Sequence, residues 1–209
     1  MEIYTLQLGP LGANCYVIET APGRCVAIDI GGDHEYLMSL LMKRNLTLRK
    51  ILLTHGHFDH IGGVEAVRKA TGAEVYIHNE DTKMLTSEEY SLHRSMYGEP
   101  FTPVSDFTAV FGDCWINDGE LEFRIIHTPG HSGGSVCYVC GDVMFSGDTL
   151  FRGSVGRTDF PGSDPLAMTR SLRKLWFMDG DYRVLPGHGE ESRLSFEKKI
   201  NPYFAQFRN

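Results

Sequence analysis

The chain has 209 residues, and at roughly 100–200 residues per domain this length predicts a single domain over 1–209. Hydrophobic residues make up 42% and charged residues 22%, a globular balance that excludes disorder. The 20 Lys and Arg against 27 Asp and Glu give a formal charge of -7, the wrong sign for holding phosphate backbones through counterion release, so nucleic acid is not expected as a partner.

An odd set of five cysteines, Cys15, Cys25, Cys114, Cys137 and Cys140, fits a reducing compartment better than a disulfide framework. The N-terminal residues carry Glu2 and neither a basic region nor an apolar core, which predicts no signal peptide. No 18-residue apolar run predicts a membrane span. A soluble cytoplasmic protein is the expectation.

In chain order, short alternating runs at Ile3–Leu8, Cys15–Ile18 and Cys25–Ile30, separated by Gly and Pro turn signals, predict antiparallel strands. The spacing of Tyr36, Leu37, Leu40 and Leu41 predicts a helix over His34–Lys43, and Ile51–Thr54 reads as a buried strand. A helix from Gly63 to Thr71, a strand Glu74–His78 and a short helix capped by Asn79 and running to Met84 follow. Ser87–Pro103 lacks a clean period and is expected to be a mobile loop over the site. Strands at Phe107–Phe111, Leu121–His127, Val136–Val139 and Val143–Ser146 form a second set. After the glycine-rich loop Phe151–Ser163, Asp164 and Pro165 start an amphipathic helix to Phe177. A strand Tyr182–Leu185 and one or two short helices close the chain.

The segment Thr54-His55-Gly56-His57-Phe58-Asp59-His60 places three imidazoles and a carboxylate within six residues, a donor set that suits a borderline divalent cation. It lies in the loop after an apolar strand, and Gly56, Gly62 and Gly63 permit the tight backbone. His131 in HTPGHSGG, Asp148 in FSGDT and His188 in LPGHG each follow a strand in the same way. If those strand ends share one sheet edge, seven donors converge, too many for one tetrahedral zinc and suited to two metals sharing a bridge.

THGHFDH, HTPGHS, SGDTLF and PGHG, in this order and spanning nearly the whole chain, resemble the metallo-β-lactamase fold superfamily. FRGSVGRTDFPG, PGHG and NPYF make the chain similar in particular to short, single-domain type II glyoxalases, hydroxyacylglutathione hydrolases that lack the helical C-terminal extension. The resemblance implies an α+β fold, a four-layer αβ/βα sandwich of two mixed sheets flanked by helices, with the metals at one edge. It implies that His55, His57 and His131 hold one divalent ion and Asp59, His60 and His188 a second, with Asp148 bridging them. Zinc is the first choice, and iron or manganese suits the same donors. Asp29, in AIDIGG, would hydrogen-bond a ligand and orient it. Arg157 matches a basic residue that contacts glutathione in the resembling enzymes, and Arg152 is a second substrate-contact candidate.

Such a site suits a small-molecule thioester. Two cations lower the pKa of a shared water and polarise the acyl oxygen, with Asp59 and Asp148 as the catalytic carboxylates. A thiolate, whose thiol has a pKa of about 8.5, leaves without a dedicated general acid. The implied activity is hydrolysis of S-lactoylglutathione-type thioesters in methylglyoxal detoxification. The alternatives are a mononuclear iron enzyme similar to persulfide dioxygenases, and a lactonase or other acyl hydrolase of the same fold. Asp59, His60 and His188 favour the binuclear hydrolase over the first. Oligomeric state is not readable from the residues.

Other features carry structural expectations. Cys137 and Cys140, at i and i+3 of a strand, should face opposite sides. His34, His78, His93 and His127 read as surface or hydrogen-bonded histidines, Glu88-Glu89 as a solvated loop, and Tyr203, Phe204 and Phe207 as packing residues.

Overall fold

Side chains that alternate in direction along strands buried on both faces explain why this chain makes two sheets and where they meet. In the computed structural model, which describes residues 1–98 and 100–208, strands β1 (Glu2–Leu8), β2 (Ala13–Ala21), β3 (Arg24–Ile28), β4 (Thr47–Leu52), β5 (Glu74–His78) and β6 (Thr108–Val110) form one sheet in that spatial order. Strands β7 (Trp115–Asp118), β8 (Leu121–His127), β9 (Val136–Cys140), β10 (Val143–Gly147), β11 (Arg183–Pro186) and β12 (Ser192–Arg193) form the second. Both sheets are mixed. β3 to β6 pair in parallel and β1 to β3 antiparallel, whereas the second sheet is antiparallel except at β10–β11.

Along β2 and β3, Tyr16, Ile18, Val26 and Ile28 point between the sheets, where they meet Val136, Tyr138 and Phe145. The alternate residues Cys15, Val17, Cys25 and Ala27 pack outward. There α1 (His34–Arg44) contributes Leu37 and Leu41, and α3 (Val64–Thr71) contributes Val64 and Val67. Cys137, Val139 and Met144 pack on the far side against α5 (Pro165–Trp176) and Leu194 of α6 (Leu194–Ile200). Helix, sheet, sheet and helix form the four-layer αβ/βα sandwich, an α+β arrangement in which each sheet buries both faces.

Cys137 faces α5 while Cys140 faces the opposite sheet, so the C-x-x-C spacing brings no thiol pair together. Asp164 caps α5 as the sequence indicates, its Oδ1 accepting from the amides of Leu166 (2.8 Å) and Ala167 (3.0 Å), with Pro165 at the first turn. The chain closes on α6 and a 3-10 helix, Pro202–Phe207. Phe204 is buried against Trp176, but Tyr203 is exposed, a correction to its packing expectation.

Other differences have local causes. β7 is missed because only Ile116 of its four residues is buried, so no alternation shows. Its hairpin signal, Asp118-Gly119 with Gly119 at φ 65°, is nonetheless in the sequence. β4 begins at Thr47, because parallel pairing with Arg24 of β3 extends it into a polar stretch. The helix after β5 is a 3-10 helix, Asn79–Leu85, capped by His78 rather than Asn79, the His78 Nδ1 accepting from the Glu80 amide at 3.4 Å. Ser87–Pro103 contains α4 (His93–Met96); Glu99 lies outside the described residues. His93 is neither exposed nor hydrogen-bonded among the described residues. Its ring lies nearly parallel to those of Phe58 and Tyr97, which also stack on each other. Among the described residues no helix is long and apolar enough to cross a membrane.

Phe145 is fully buried in the layer between the sheets, its ring 5.3 Å from that of Tyr16. Phe145→Ala is therefore expected to cost about 3–5 kcal/mol, the usual toll of an aromatic truncation in a packed core. Urea unfolding of chelator-treated protein would show it as a lowered midpoint at constant slope, and a midpoint near wild type would contradict this packing.

Candidate metal centre

Each candidate ligand follows the C-terminal end of a strand. β4 runs into Leu53 and Thr54, then His55, His57 and the single-turn helix α2 (Phe58–Ile61), which carries Asp59 and His60. His131 follows β8, Asp148 follows β10 directly, and His188 follows β11. Hydrogen bonds between the sheets hold these loops. The Tyr138 hydroxyl donates to the Leu53 carbonyl (2.9 Å) and the Val136 amide to that of Thr54 (2.9 Å). In the other direction, the Tyr16 hydroxyl and Asn14 Nδ2 donate to the Pro186 carbonyl at 2.7 and 3.0 Å. At Gly187 a Cβ would lie 2.2 Å from Asp148 Oδ1 and 2.8 Å from His60 Cε1, so only glycine lets the loop pass so close.

All seven predicted ligands come together. His55, His57 and His131 form one triad, Asp59, His60 and His188 another, and His55, His60 and Asp148 a third, with donor atoms within 4.8 Å of one another in each. Asp148 lies between the first two. Its Oδ2 is 3.4 Å from His131 Nε2 and 3.8 Å from His188 Nε2, and its Oδ1 is 3.5 Å from His60 Nε2.

Hydrogen bonds on the far side of the rings set which nitrogen faces the centre. Asp29 is buried and in the left-handed region at φ 53°. Its Oδ1 accepts from the Thr54 amide (2.8 Å), and its Oδ2 from the Thr54 hydroxyl (2.7 Å) and His60 Nδ1 (2.9 Å). The Thr54 hydroxyl, having donated to Asp29, accepts from His55 Nδ1 at 3.0 Å. His131 Nδ1 donates to the Arg157 carbonyl at 2.8 Å. In His55, His60 and His131 it is thus the Nε2 atom that faces inward.

Two observations show that this donor set fits cations. His55 Nε2 and Asp148 Oδ1 are buried without a hydrogen-bond partner among the described residues, an arrangement costly for polar atoms unless something else satisfies them. His57 Nδ1 also approaches His131 Nε2 to 2.9 Å, and His60 Nε2 approaches His188 Nε2 to 3.3 Å. Ring nitrogens converge so closely when a proton or a cation lies between them. Burial pushes His55 well below the usual histidine range and His57 down to about 3, repulsion from neighbouring imidazoles adding to it. Both are neutral ligands near pH 7. Burial also acts to lower His60, but Asp59, Asp148 and Asp29 outweigh it and hold the imidazole up at about 10.

Above the ligands lies a cavity of about 310 Å³, walled by Leu11, Phe58, Leu92, Met96, Phe151, Val155, Phe160 and Arg157. The segment expected to cover the site supplies Leu92 and Met96, and is tied down where the Phe58 amide donates to the Ser91 carbonyl at 2.9 Å. Arg157 reaches this cavity, but Arg152 does not: its guanidinium pairs with Glu190 and lines a separate groove with Arg183, Arg193 and Phe196. Among the described residues its placement corrects the substrate-contact expectation.

Sequence reasoning missed Asp81. Carried by the 3-10 helix after β5, it is buried and joins the two histidine loops. Its carboxylate accepts from the amides of Gly56 (3.1 Å) and Gly134 (2.7 Å) and from the Ser132 hydroxyl (2.6 Å). A single aspartate in a short amphipathic segment carries no pattern that could have marked it.

A family model described as the Metallo-beta-lactamase superfamily matches residues 8–188. The probable metallo-hydrolase YqgX of Bacillus subtilis (strain 168) is 33% identical over 210 residues, covering 99% of each chain. Hydroxyacylglutathione hydrolase GloC of Haemophilus influenzae is 33% identical over 213 residues, 97% of this chain and 98% of its own. Among solved structures, the BLEG-1 B3 metallo-beta-lactamase has a TM-score of 0.92 at 35% identity, covering 98% of this chain and 100% of its own. TTHA1623, solved in a di-iron-bound form, has a TM-score of 0.77 at 38% identity, covering 96% and 99%.

With His60 held up at about 10, it carries a proton at pH 7 that a cation must displace. Metal loading at that pH is therefore expected to release protons, and apparent affinity to rise with pH up to that value. Calorimetric titrations in buffers of different ionisation enthalpy would detect the release; buffer-independent heats would contradict it. Asp81→Ala strands three donors between the ligand loops and should weaken metal binding about 10–100-fold, measured by chelator competition. Unaltered affinity would show that the loops need no such link.

Proposed function

Because this chain belongs to the metallo-β-lactamase superfamily, we propose that it is a binuclear metal-dependent hydrolase of hydroxyacyl thioesters of the S-lactoylglutathione type, the glyoxalase II reaction of methylglyoxal detoxification. We take it to act as a single cytoplasmic catalytic domain over 1–209. The observation that carries this reading is Asp148, whose carboxylate lies between the two ligand groups, near His131 of one and His60 and His188 of the other, at the floor of a cavity large enough for a small thioester. Similarity over nearly the full length to hydroxyacylglutathione hydrolase GloC supports the substrate class.

In this reading His55, His57 and His131 would hold one divalent ion, Asp59, His60 and His188 the other, and Asp148 both. Zinc is our first choice, and iron suits the same donors. Such a pair of ions, when bound, supplies hydroxide from a shared water near neutral pH and a Lewis acid for the acyl oxygen.

The protein's own part is arrangement. Asp29, Thr54 and the Arg157 carbonyl fix three imidazoles before substrate arrives, so the centre need not reorganise as charge develops. Phe58, Leu92, Phe151 and Phe160 exclude water from the acyl group. Arg157 flanks the same cavity and is the proposed contact for the thiol arm. The thiolate departs without a proton donor, which suits a pocket whose wall, among the described residues, adds no acid to the ligand carboxylates. A mononuclear iron centre would leave the convergence of Asp59, His60 and His188 without a use.

Protein carrying its own metals should hydrolyse S-lactoylglutathione with about two ions per chain, both measured on one sample. One iron per chain with oxygen consumption on glutathione persulfide would replace this reading with a dioxygenase. Asp148→Ala should lose both ions and nearly all activity, and near-normal hydrolysis by that variant would sink the shared ligand.

A further inference from the structure

The proposed reaction defines the bond that breaks; the charges on the cavity wall bear on the groups attached to it. Apart from histidines, Arg157 is the one cationic side chain lining the cavity among the described residues. Its Nε and Nη2 each donate to the Asp159 carboxylate at 2.9 Å, a two-pronged pairing. The guanidinium carbon also lies 4.3 Å from the centre of the Phe160 ring. Of the two guanidinium edges that could receive a substrate carboxylate, the Nε–Nη2 edge is already filled by Asp159, and one face is covered. Because Asp159 is only two residues away, the pair forms at little cost in chain entropy. Arg152, outside this cavity, is paired through a single nitrogen with Glu190. Apart from Ser154 the rest of the wall above the ligands is apolar among the described residues, and Leu11 and Met96 carry that character to the mouth, where they are 53% and 49% exposed.

We infer that Asp159 sets the charge selectivity of this pocket: by occupying Arg157 it favours thioesters whose thiol arm is uncharged, and a carboxylate-bearing thiol must compete with Asp159 for the guanidinium. The inference rests on the hydrolase reading of the site for its substrates, but not for its binding test. Lactoylglutathione would then be turned over with little grip on its tripeptide, and a neutral lactoyl thioester would serve at least as well.

The test uses the metal-loaded full chain and two lactoyl thioesters, one of glutathione and one of the uncharged thiol N-acetylcysteamine. Asp159→Asn should raise the ratio of kcat/KM for glutathione over the neutral thiol by about three- to tenfold, a size suited to an exposed charge pair. The gain should come through KM and shrink at high salt. It should vanish in the double variant Asp159→Asn, Arg157→Ala. A ratio that is unchanged or falls in Asp159→Asn, or a gain that survives loss of Arg157, would overturn the proposal.

Calorimetric binding of free glutathione and of free N-acetylcysteamine to the same proteins provides a readout that needs no turnover. Glutathione should bind more tightly to Asp159→Asn by a similar factor, and equal binding would count against the inference. If neither thioester is hydrolysed, the hydrolase reading fails while this binding comparison still decides the role of Asp159. Metal content of each variant guards against an indirect effect through the Arg157 carbonyl, and Asp159→Ser is a second substitution should the asparagine variant fold poorly.

Discussion

The buried carboxylate of Asp29 is the constraint on which the rest of this centre depends. A charged group so far from water must be fully satisfied, and here every bond it accepts comes from the metal-ligand segment: the Thr54 amide, the Thr54 hydroxyl and His60 Nδ1. One side chain thereby fixes His60 directly and His55 through Thr54. Its left-handed backbone, unusual for a residue with a Cβ, stores strain of about 1–3 kcal/mol. The hydrogen bonds that follow it in the chain lock the turn, with the Ile30 amide on the His60 carbonyl and the Gly63 amide on that of Ile30.

Around this point the two sheets act on each other. Tyr138 of the second sheet holds the loop that follows β4 of the first, while Tyr16 and Asn14 of the first hold the loop that carries His188 from the second. Neither sheet could position its ligands alone. Asp81 adds a third link, drawing the His55 and His131 loops onto one carboxylate. A centre built in this way from loops gains the rigidity usually reserved for regular elements, since each loop is braced by backbone hydrogen bonds to a packed strand or helix.

Charge follows the same division of labour. At the floor, imidazoles kept neutral by burial sit beside carboxylates whose combined field holds His60 up, a donor set with net affinity for cations. On the wall, Arg157 is answered by an aspartate and an aromatic ring. The cavity therefore presents strong charge at its floor and little along its wall.

By itself the sequence determined the chemistry of the donors and much of the fold. His55, His57, Asp59 and His60 are legible because they are close in the chain, and His131, Asp148 and His188 because each follows an apolar strand and stands beside a glycine. The strands of the inter-sheet layer and the capped helix α5 are legible because burial periodicity and capping are local signals. Which distant residues meet is settled by folding alone. Asp81 carries no local mark, and its role comes from two loops that converge on it across the sandwich. The edge strand β7 buries a single side chain, and so its pattern is set by its partner β8. Arg157 and Arg152 look alike in sequence, yet one lines the cavity and the other is turned away to Glu190. Local patterning reflects what a residue can do within a few neighbours of chain; partners tens of residues apart are chosen by packing, and only the folded sandwich brings them within a hydrogen bond of each other.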